Sequence, residues 1–426
     1  MTSLLKKTIT LQKSHLYGAF LTAFFLPLSI KISNVFLILF FASAFGLVFF
    51  NKSKLQNINY KLLYYTLLPL FIISIIGLLY SDPLLIGSSK IAKSISFLLC
   101  PIILLFYNKD SLQTIKKELF RGIILGCVLT FLVLLSFNFY GYYATRPFLL
   151  IDDELLNYYY TYYSFTKPLG IHPTYLGTYA LLAIAILLTH FKKFSKYRRV
   201  LVMVMIAILS LGILFLNSRV VFLLYALLIG TTMLVLLRQW YLKKKFLLFF
   251  IMIAAIGAGG FFSHYLLSET FIVTRMTKEL SWELSDQKDS NYNLNTKADS
   301  RIARWKSAVQ VIKEKPIFGY GTKMEKTVLN KQFIEDGLLS SAKKRYDSHN
   351  MYLSVSLEYG ALGLLLFLIY LMTNLYYAVL KKRALTIFFF VIITVVCLFE
   401  NYLALNAGIT FVGLFGSVLS YINLKD

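Results

Sequence analysis

Three cysteines are all that the 426 residues contain, and Cys100, Cys127 and Cys397 each sit inside an apolar run. That leaves no disulfide framework and no thiolate metal cluster to propose. Acid is scarce as well: 20 Asp and Glu stand against 44 Lys and Arg, for a formal net charge of +24. No convincing Asp-x-Asp cluster is present that could hold a divalent ion. The nearest approach, "IDDE" at 151–154, reads as a solvated loop. The first apolar run, from Leu16, lacks an A-x-A-like cleavage site and is followed almost at once by a second. It therefore reads as a span and not as a removable leader.

What the chain has in quantity is apolar sequence. At 58% hydrophobic residues, with runs of membrane-crossing length throughout, it reads as an all-α polytopic membrane protein. The runs at 16–30, 35–50, 62–80, 91–107, 122–140, 176–190, 200–216, 220–237, 246–262, 361–380, 385–399 and 408–422 predict about 12 transmembrane helices. This gives an N-terminal bundle over 1–262 (about nine helices), a large loop over 263–360, and about three C-terminal helices over 361–426.

Sidedness follows from where the positive charge falls, because Lys and Arg in short loops resist translocation. The connections at 51–61, 108–118, 192–199, 238–245 and 381–383 are basic and nearly free of acid. The alternate set, 81–90, 141–173, 217–219 and 263–360, holds most of the Asp and Glu. Both termini are then cytoplasmic, and the long loop faces outward. Much of the net charge is a topological signal, so no nucleic-acid partner is implied.

Three polar features on the outward side stand out. Within the long loop, "SDQKDSNYNLNTKADS" reads as flexible, whereas "SRIARWKSAVQVIKEKPIFGYG" places Ile302, Trp305, Val309 and Ile312 at helical spacing. Asp299 or Ser300 can cap that helix and Pro316 stops it, which predicts a short amphipathic helix near the membrane surface. Arg301 in its first turn and Arg304 one turn on lie where the helix dipole favours an anion such as phosphate. A solvated basic face packed by Trp305 fits the same spacing.

The second feature is Arg219, in the "NSR" turn between two apolar runs. On the outward side it cannot be a positive-inside anchor, so it is either a functional charge or an arginine snorkelling to the interface. The third is "DSHNMYLSVSLEYG", which puts His349, Tyr352, Ser356 and Tyr359 on roughly one stripe, with Gly360 and Gly363 separating it from the next span. An ordinary imidazole titrates near 6.5, and Asp347 could orient His349 as a base. A hydrogen-bonded structural histidine is the alternative.

In their order and spacing, the "NSR" turn, the "RIARW" helix with its "GYG" turn, and "SHNMYLSVSLEYGALG" resemble the O-antigen ligase and O-antigen polymerase superfamily of bacterial membrane glycosyltransferases. "IHPTYLG" at 171–177 adds a weaker likeness. The resemblance implies a GT-C-like architecture and a multi-pass protein of the bacterial inner membrane with a periplasmic active site. The implied reaction, with no cofactor or metal, transfers a glycan from an undecaprenyl diphosphate-linked donor to a hydroxyl of lipid A core. A lipid-linked glycan is the acceptor in the polymerase alternative, and a flippase or transporter is the alternative from another class. By matched position, Arg219 and Arg301 correspond to diphosphate-binding arginines and His349 to the catalytic histidine. Arg304 lacks a firm counterpart but adds a second charge, and Asp347, Asn350, His172 and Tyr352 are candidates for support or substrate contact. The "GYG" turn is no nucleotide loop, since no strand precedes it and no Lys-Ser/Thr pair follows.

Overall fold

A computed structural model describes residues 2–50, 60–144, 146–147, 153–253, 270–288 and 299–425. Among these the chain is helix and connecting segment with no strand. That is the architecture a bilayer imposes on open-ended segments, since only a helix satisfies its backbone polar groups internally.

The expected spans appear as α1 (Thr2–Phe25), α2 (Ile30–Phe50), α3 (Leu68–Leu78), α4 (Ser88–Lys93), α5 (Ser96–Leu105), α6 (Lys109–Tyr143), α7 (Pro173–His190), α8 (Lys196–Leu216) and α9 (Arg219–Leu242). After the long loop come α12 (Met351–Leu380), α13 (Ala384–Phe399) and a last helical stretch from Asn406 to Lys425. Eight helical stretches among the described residues are long and apolar enough to cross a membrane. α3 and α13 are apolar but shorter, and α3 is shortened because Pro69 in its first turn starts the helix afresh after a 3-10 segment at Tyr60–Tyr65. The expected span at 246–262 is helical through Ile253, and its remainder lies outside the described residues. So does most of the polar stretch expected to be flexible.

The chain forms two compact units, one of residues 1–123 with 281–426 and the other of 124–280. In the second, α7 is buried along nearly its whole length. A Cβ on Gly177 would meet a methyl of Val221 on α9 at 2.4 Å, so the glycine of "IHPTYLG" lets two helices approach closely.

In the first unit the long loop contributes α10 (Arg301–Glu314) and α11 (Glu325–Glu335). They close a small core of Ala303, Ala308, Val311, Leu329, Phe333 and Leu338 over Leu357 of α12. Ser300 caps α10 through its hydroxyl, and the helix ends just before Pro316, as the sequence predicts. Its buried face differs from the expected stripe. Ala303, Arg304, Ser307, Ala308 and Val311 are buried while Val309 is exposed, because the small residues admit α11 and α12 at close range.

Gly360 separates two helical segments within Met351–Leu380, as the sequence reading expects. At φ +62° it breaks the ladder of α12, and the segment after Pro316 satisfies the freed groups. The Tyr320 and Gly321 amides donate to the Leu357 and Glu358 carbonyls at 2.9 and 2.8 Å, and the Ala361 amide donates to the Pro316 carbonyl at 2.7 Å. A Cβ at position 360 would lie 2.2 Å from the Ile317 backbone. Glycine is required there for both conformation and space.

Candidate functional site

The polar centre of the first unit is built on the start of α10 and the turn that leads into α12. Asn350 caps α12, its side-chain oxygen accepting from the Tyr352 and Leu353 amides at 3.0 and 3.2 Å. The cap holds the preceding residues off the helix. His349 therefore sits at φ +49° in a turn and not on the expected helical stripe, while the Tyr352 hydroxyl is bound to the Thr394 carbonyl at 3.0 Å.

Asp347 fixes the imidazole. One of its oxygens accepts from the His349 backbone amide at 3.1 Å and also pairs with His349 Nδ1. Burial by itself would raise the Asp347 carboxyl, but the His349 ring and amide, with Lys326 at 3.6 Å, hold it well below the usual carboxylate range. An ionised Asp347 accepts only, so Nδ1 carries the proton and donates. In the neutral ring the lone pair is then on Nε2.

Below this turn lies a carboxylate that the sequence reading missed. Glu325, at the start of α11, is buried. It accepts from the Ser348 amide at 3.0 Å, the Ser348 hydroxyl at 2.7 Å, the Ser354 hydroxyl at 2.7 Å and the Asn401 amide at 3.0 Å to both oxygens. Burial raises its pKa and the nearby Asp347 charge adds to the rise, against the pull of the Ser348 bonds. It holds the histidine turn from beneath.

The arginines meet a second unforeseen acid. One Glu283 oxygen lies 3.2 Å from Arg301 Nε and 3.6 Å from Arg304 Nη2. Arg301 also donates through Nη1 to the Phe399 carbonyl at 2.8 Å. Arg304 is 3% exposed and its Nη1 has no acceptor. Burial lowers the Arg304 pKa, Glu283 and Asp347 oppose the fall, and Arg301 adds to it. Two elements join these guanidinium groups to the histidine turn. The Tyr346 ring has the Arg304 guanidinium 5.2 Å from its centre and the His349 ring edge-on at 5.6 Å, and the Trp305 indole donates to the Ser348 carbonyl at 2.8 Å.

The turn that holds His349 is thus tied through Tyr346 and Trp305 to the helix that bears Arg301 and Arg304. Residues 204–368 match the O-antigen ligase family. No curated protein matches the chain. The matched segment takes in Arg219, Arg301, Arg304, Asp347, His349, Asn350 and Tyr352, and it bears out the resemblance read from the motifs. It implies a membrane enzyme of glycosyltransferase type that works on lipid-linked glycans. His172 lies outside the segment.

Arg219 and His172 belong to the second unit. Asn217, in the left-handed conformation, ends α8, and Ser218 leads into Arg219 as the first residue of α9. The Ser218 and Thr174 hydroxyls are 3.2 Å apart. His172 caps α7: its Nδ1 accepts from the Thr174 amide at 3.2 Å, and its Nε2 lies 2.6 Å from the Tyr163 hydroxyl. Among the described residues no three His, Cys, Asp or Glu side chains gather as a metal site would need.

Signals for the missed acids were faint. Two arginines three residues apart on the buried side of a helix call for a carboxylate, and that could have directed attention to Glu283. Nothing local marks Glu325.

Proposed function

We propose that the chain transfers a glycan from undecaprenyl diphosphate to an acceptor hydroxyl at the periplasmic face of the inner membrane, as an O-antigen ligase does with lipid A core. In this reading 1–262 and 361–426 carry the spans, 263–360 is the outward loop, and both termini are cytoplasmic. His349 Nε2 takes the proton of the acceptor hydroxyl, and that oxygen attacks the anomeric carbon. The bond from this carbon to the diphosphate oxygen breaks, and its electron pair leaves with undecaprenyl diphosphate. Attack opposite the leaving group inverts the centre.

Arg301 and Arg304 carry the charge that grows on the diphosphate, through planar donors that stay protonated throughout. Arg219 takes the same assignment from its place in the matched segment. The Asp347 carboxylate stabilises the imidazolium as it forms. What supports the reading most is the Tyr346 ring, which carries both the Arg304 guanidinium and the His349 imidazole. A general base and a phosphate-binding group thus stand side by side.

The test is transfer by the purified protein from an undecaprenyl diphosphate glycan, with lipid A core and a lipid-linked glycan offered separately. Product on lipid A core supports the ligase reading. Product only on the lipid-linked glycan makes the chain a polymerase. No product on either, with the glycan lipid crossing proteoliposome membranes, makes it a transporter.

A further inference from the structure

The "PIFGYG" turn after α10 carries a tip that neither the site nor the proposed mechanism uses. Ile317 and Phe318 are each 61% exposed, although the backbone around them is held. The Tyr80 hydroxyl donates to the Phe318 carbonyl at 2.8 Å, the Ala361 amide to the Pro316 carbonyl at 2.7 Å, and the Thr322 hydroxyl to the Ser74 carbonyl at 2.5 Å. The two side chains thus stand out from an anchored turn. Large apolar groups presented in this way are costly in water and mark a surface that something apolar covers.

The neighbours of the tip indicate what that is. Ser74 and Gly77, whose carbonyls accept from Thr322, belong to α3. In that apolar helix Ile72, Ile75 and Ile76, with Leu79 just beyond, are exposed at helical spacing. On the other side the Leu362 amide donates to the Ile317 carbonyl at 3.4 Å. There the apolar part of α12 begins, with Leu362, Leu365, Ile369 and Met372 exposed along one stripe. In helices that cross a bilayer, such stripes face lipid. Ile317 and Phe318 therefore lie between two lipid faces and continue them. Leu84 and Leu85, in the loop after Tyr80, are exposed as well. The exposed charges that flank the tip in sequence are Lys313, Lys315 and Lys323 against Glu314, with Asp82 in the neighbouring loop. Long lysine stems reach lipid phosphates from a tip set in hydrocarbon.

We propose that the turn at 316–318, with Leu84 and Leu85 beside it, is a wedge that enters the lipid leaflet on its side of the membrane, so that part of the loop outside the spans is seated in the bilayer. What covers the tip is lipid and not a partner protein. The depth expected is about 5–10 Å into the boundary between headgroups and acyl chains, as for other interfacial segments. The wedge holds the end of α10, the helix that bears Arg301 and Arg304, at the lipid surface. Insertion requires only that the chain spans a membrane, and not the reaction proposed above.

The test places a nitroxide on Phe318→Cys in the full-length protein; Cys100, Cys127 and Cys397 are fully buried and escape labelling. In nanodiscs of phosphatidylcholine and phosphatidylglycerol, collision of the label with oxygen, which concentrates in hydrocarbon, is compared with collision with a water-soluble nickel chelate. Reference labels sit on Leu365→Cys, on the lipid face of α12, and on Lys331→Cys, exposed on α11. The label at 318 is expected to follow the one at 365, with high oxygen contact and loss of nickel contact. Behaviour like that at 331 places the turn in water and overturns the proposal. Protection from both agents means that protein covers the tip, and overturns it as well. If Phe318→Cys does not fold, the same comparison on Ile317→Cys decides between these outcomes. A label at 365 that meets nickel freely overturns the wedge together with the membrane reading of α12.

Discussion

The Trp305 indole N–H donates to the Ser348 carbonyl at 2.8 Å, joining the helix that bears Arg301 and Arg304 to the turn that bears His349. Positions of base and guanidinium are thereby linked, and small displacements of reacting groups cost rate. Trp305→Phe keeps the ring and removes the donor. It is expected to lower kcat about 10-fold while KM for the donor changes little, since neither arginine is altered. Parallel steady-state kinetics on membrane fractions adjusted for protein level measure both, and an unchanged kcat would show that the bond does not govern the geometry.

Helix positions, the Ser300 cap and the stop before Pro316 were legible in the sequence because each depends on local chemistry. So was the pairing of Asp347 with His349, two residues apart. Other features depend on which surfaces meet. The buried face of α10 is set by Ala303, Ser307 and Ala308, whose small size matters only once α11 and α12 are in place. His349 reads as part of a helical stripe, yet Asn350 caps the helix and leaves it in a turn. Glu325 gathers donors from Ser348, Ser354 and Asn401, up to 76 residues away, a distance no spacing rule spans.

Glu283 shares one oxygen between Arg301 and Arg304, so a diphosphate entering this site meets arginines already partly neutralised. Arg301→Ala and Arg304→Ala are expected to abolish transfer with protein still in the membrane. The Lys variants should keep only part of it, because a point charge does not reproduce the planar fork. Glu283→Gln should act in the opposite sense on binding, lowering the donor KM by about 3- to 10-fold as a modest ion pair is removed, and it should lower thermal stability. Donor titrations on the five variants check this set. A raised KM in Glu283→Gln would mean that the carboxylate helps hold the substrate.

Stability should depend on pH through two carboxyls of opposite sign. The folded-state pKa of Glu325 is raised, so its contribution is fully present below the unfolded value of about 4.3 and is lost as pH rises through the folded one. Asp347 is lowered. Its contribution is present above about 3.9 and is lost only as pH falls through a much more acid range. Melting temperatures in detergent, taken from about pH 4.5 to 8, should therefore fall toward the alkaline end through Glu325. Glu325→Gln should flatten that slope, since the amide cannot ionise. Glu325→Ala should destabilise at every pH, leaving buried donors on Ser348, Ser354 and Asn401 unsatisfied at about 1–3 kcal/mol each. An unchanged slope in the Gln variant would assign the dependence to another group.

His349 and Asp347 make a sharper forecast because the tautomer is fixed by geometry. With Nδ1–H committed to Asp347, Nε2 is the nitrogen that can take a proton. His349→Ala should therefore reduce turnover by about 10²- to 10⁴-fold while donor affinity stays close to wild type. His349→Gln should be nearly as poor: its amide can keep a hydrogen bond but cannot accept a proton at neutral pH. Asp347→Asn provides the independent arm. An asparagine that turns its NH₂ toward Nδ1 stabilises the other tautomer, with the proton on Nε2, and a rate loss of similar order is expected without loss of folded protein. A purely structural histidine predicts the reverse, with Gln restoring turnover and the damage in Ala appearing as lost protein or lost binding. Donor affinity and single-turnover rate measured on the same purified variants separate the two, and near wild-type turnover in His349→Gln would remove the imidazole from the chemical step.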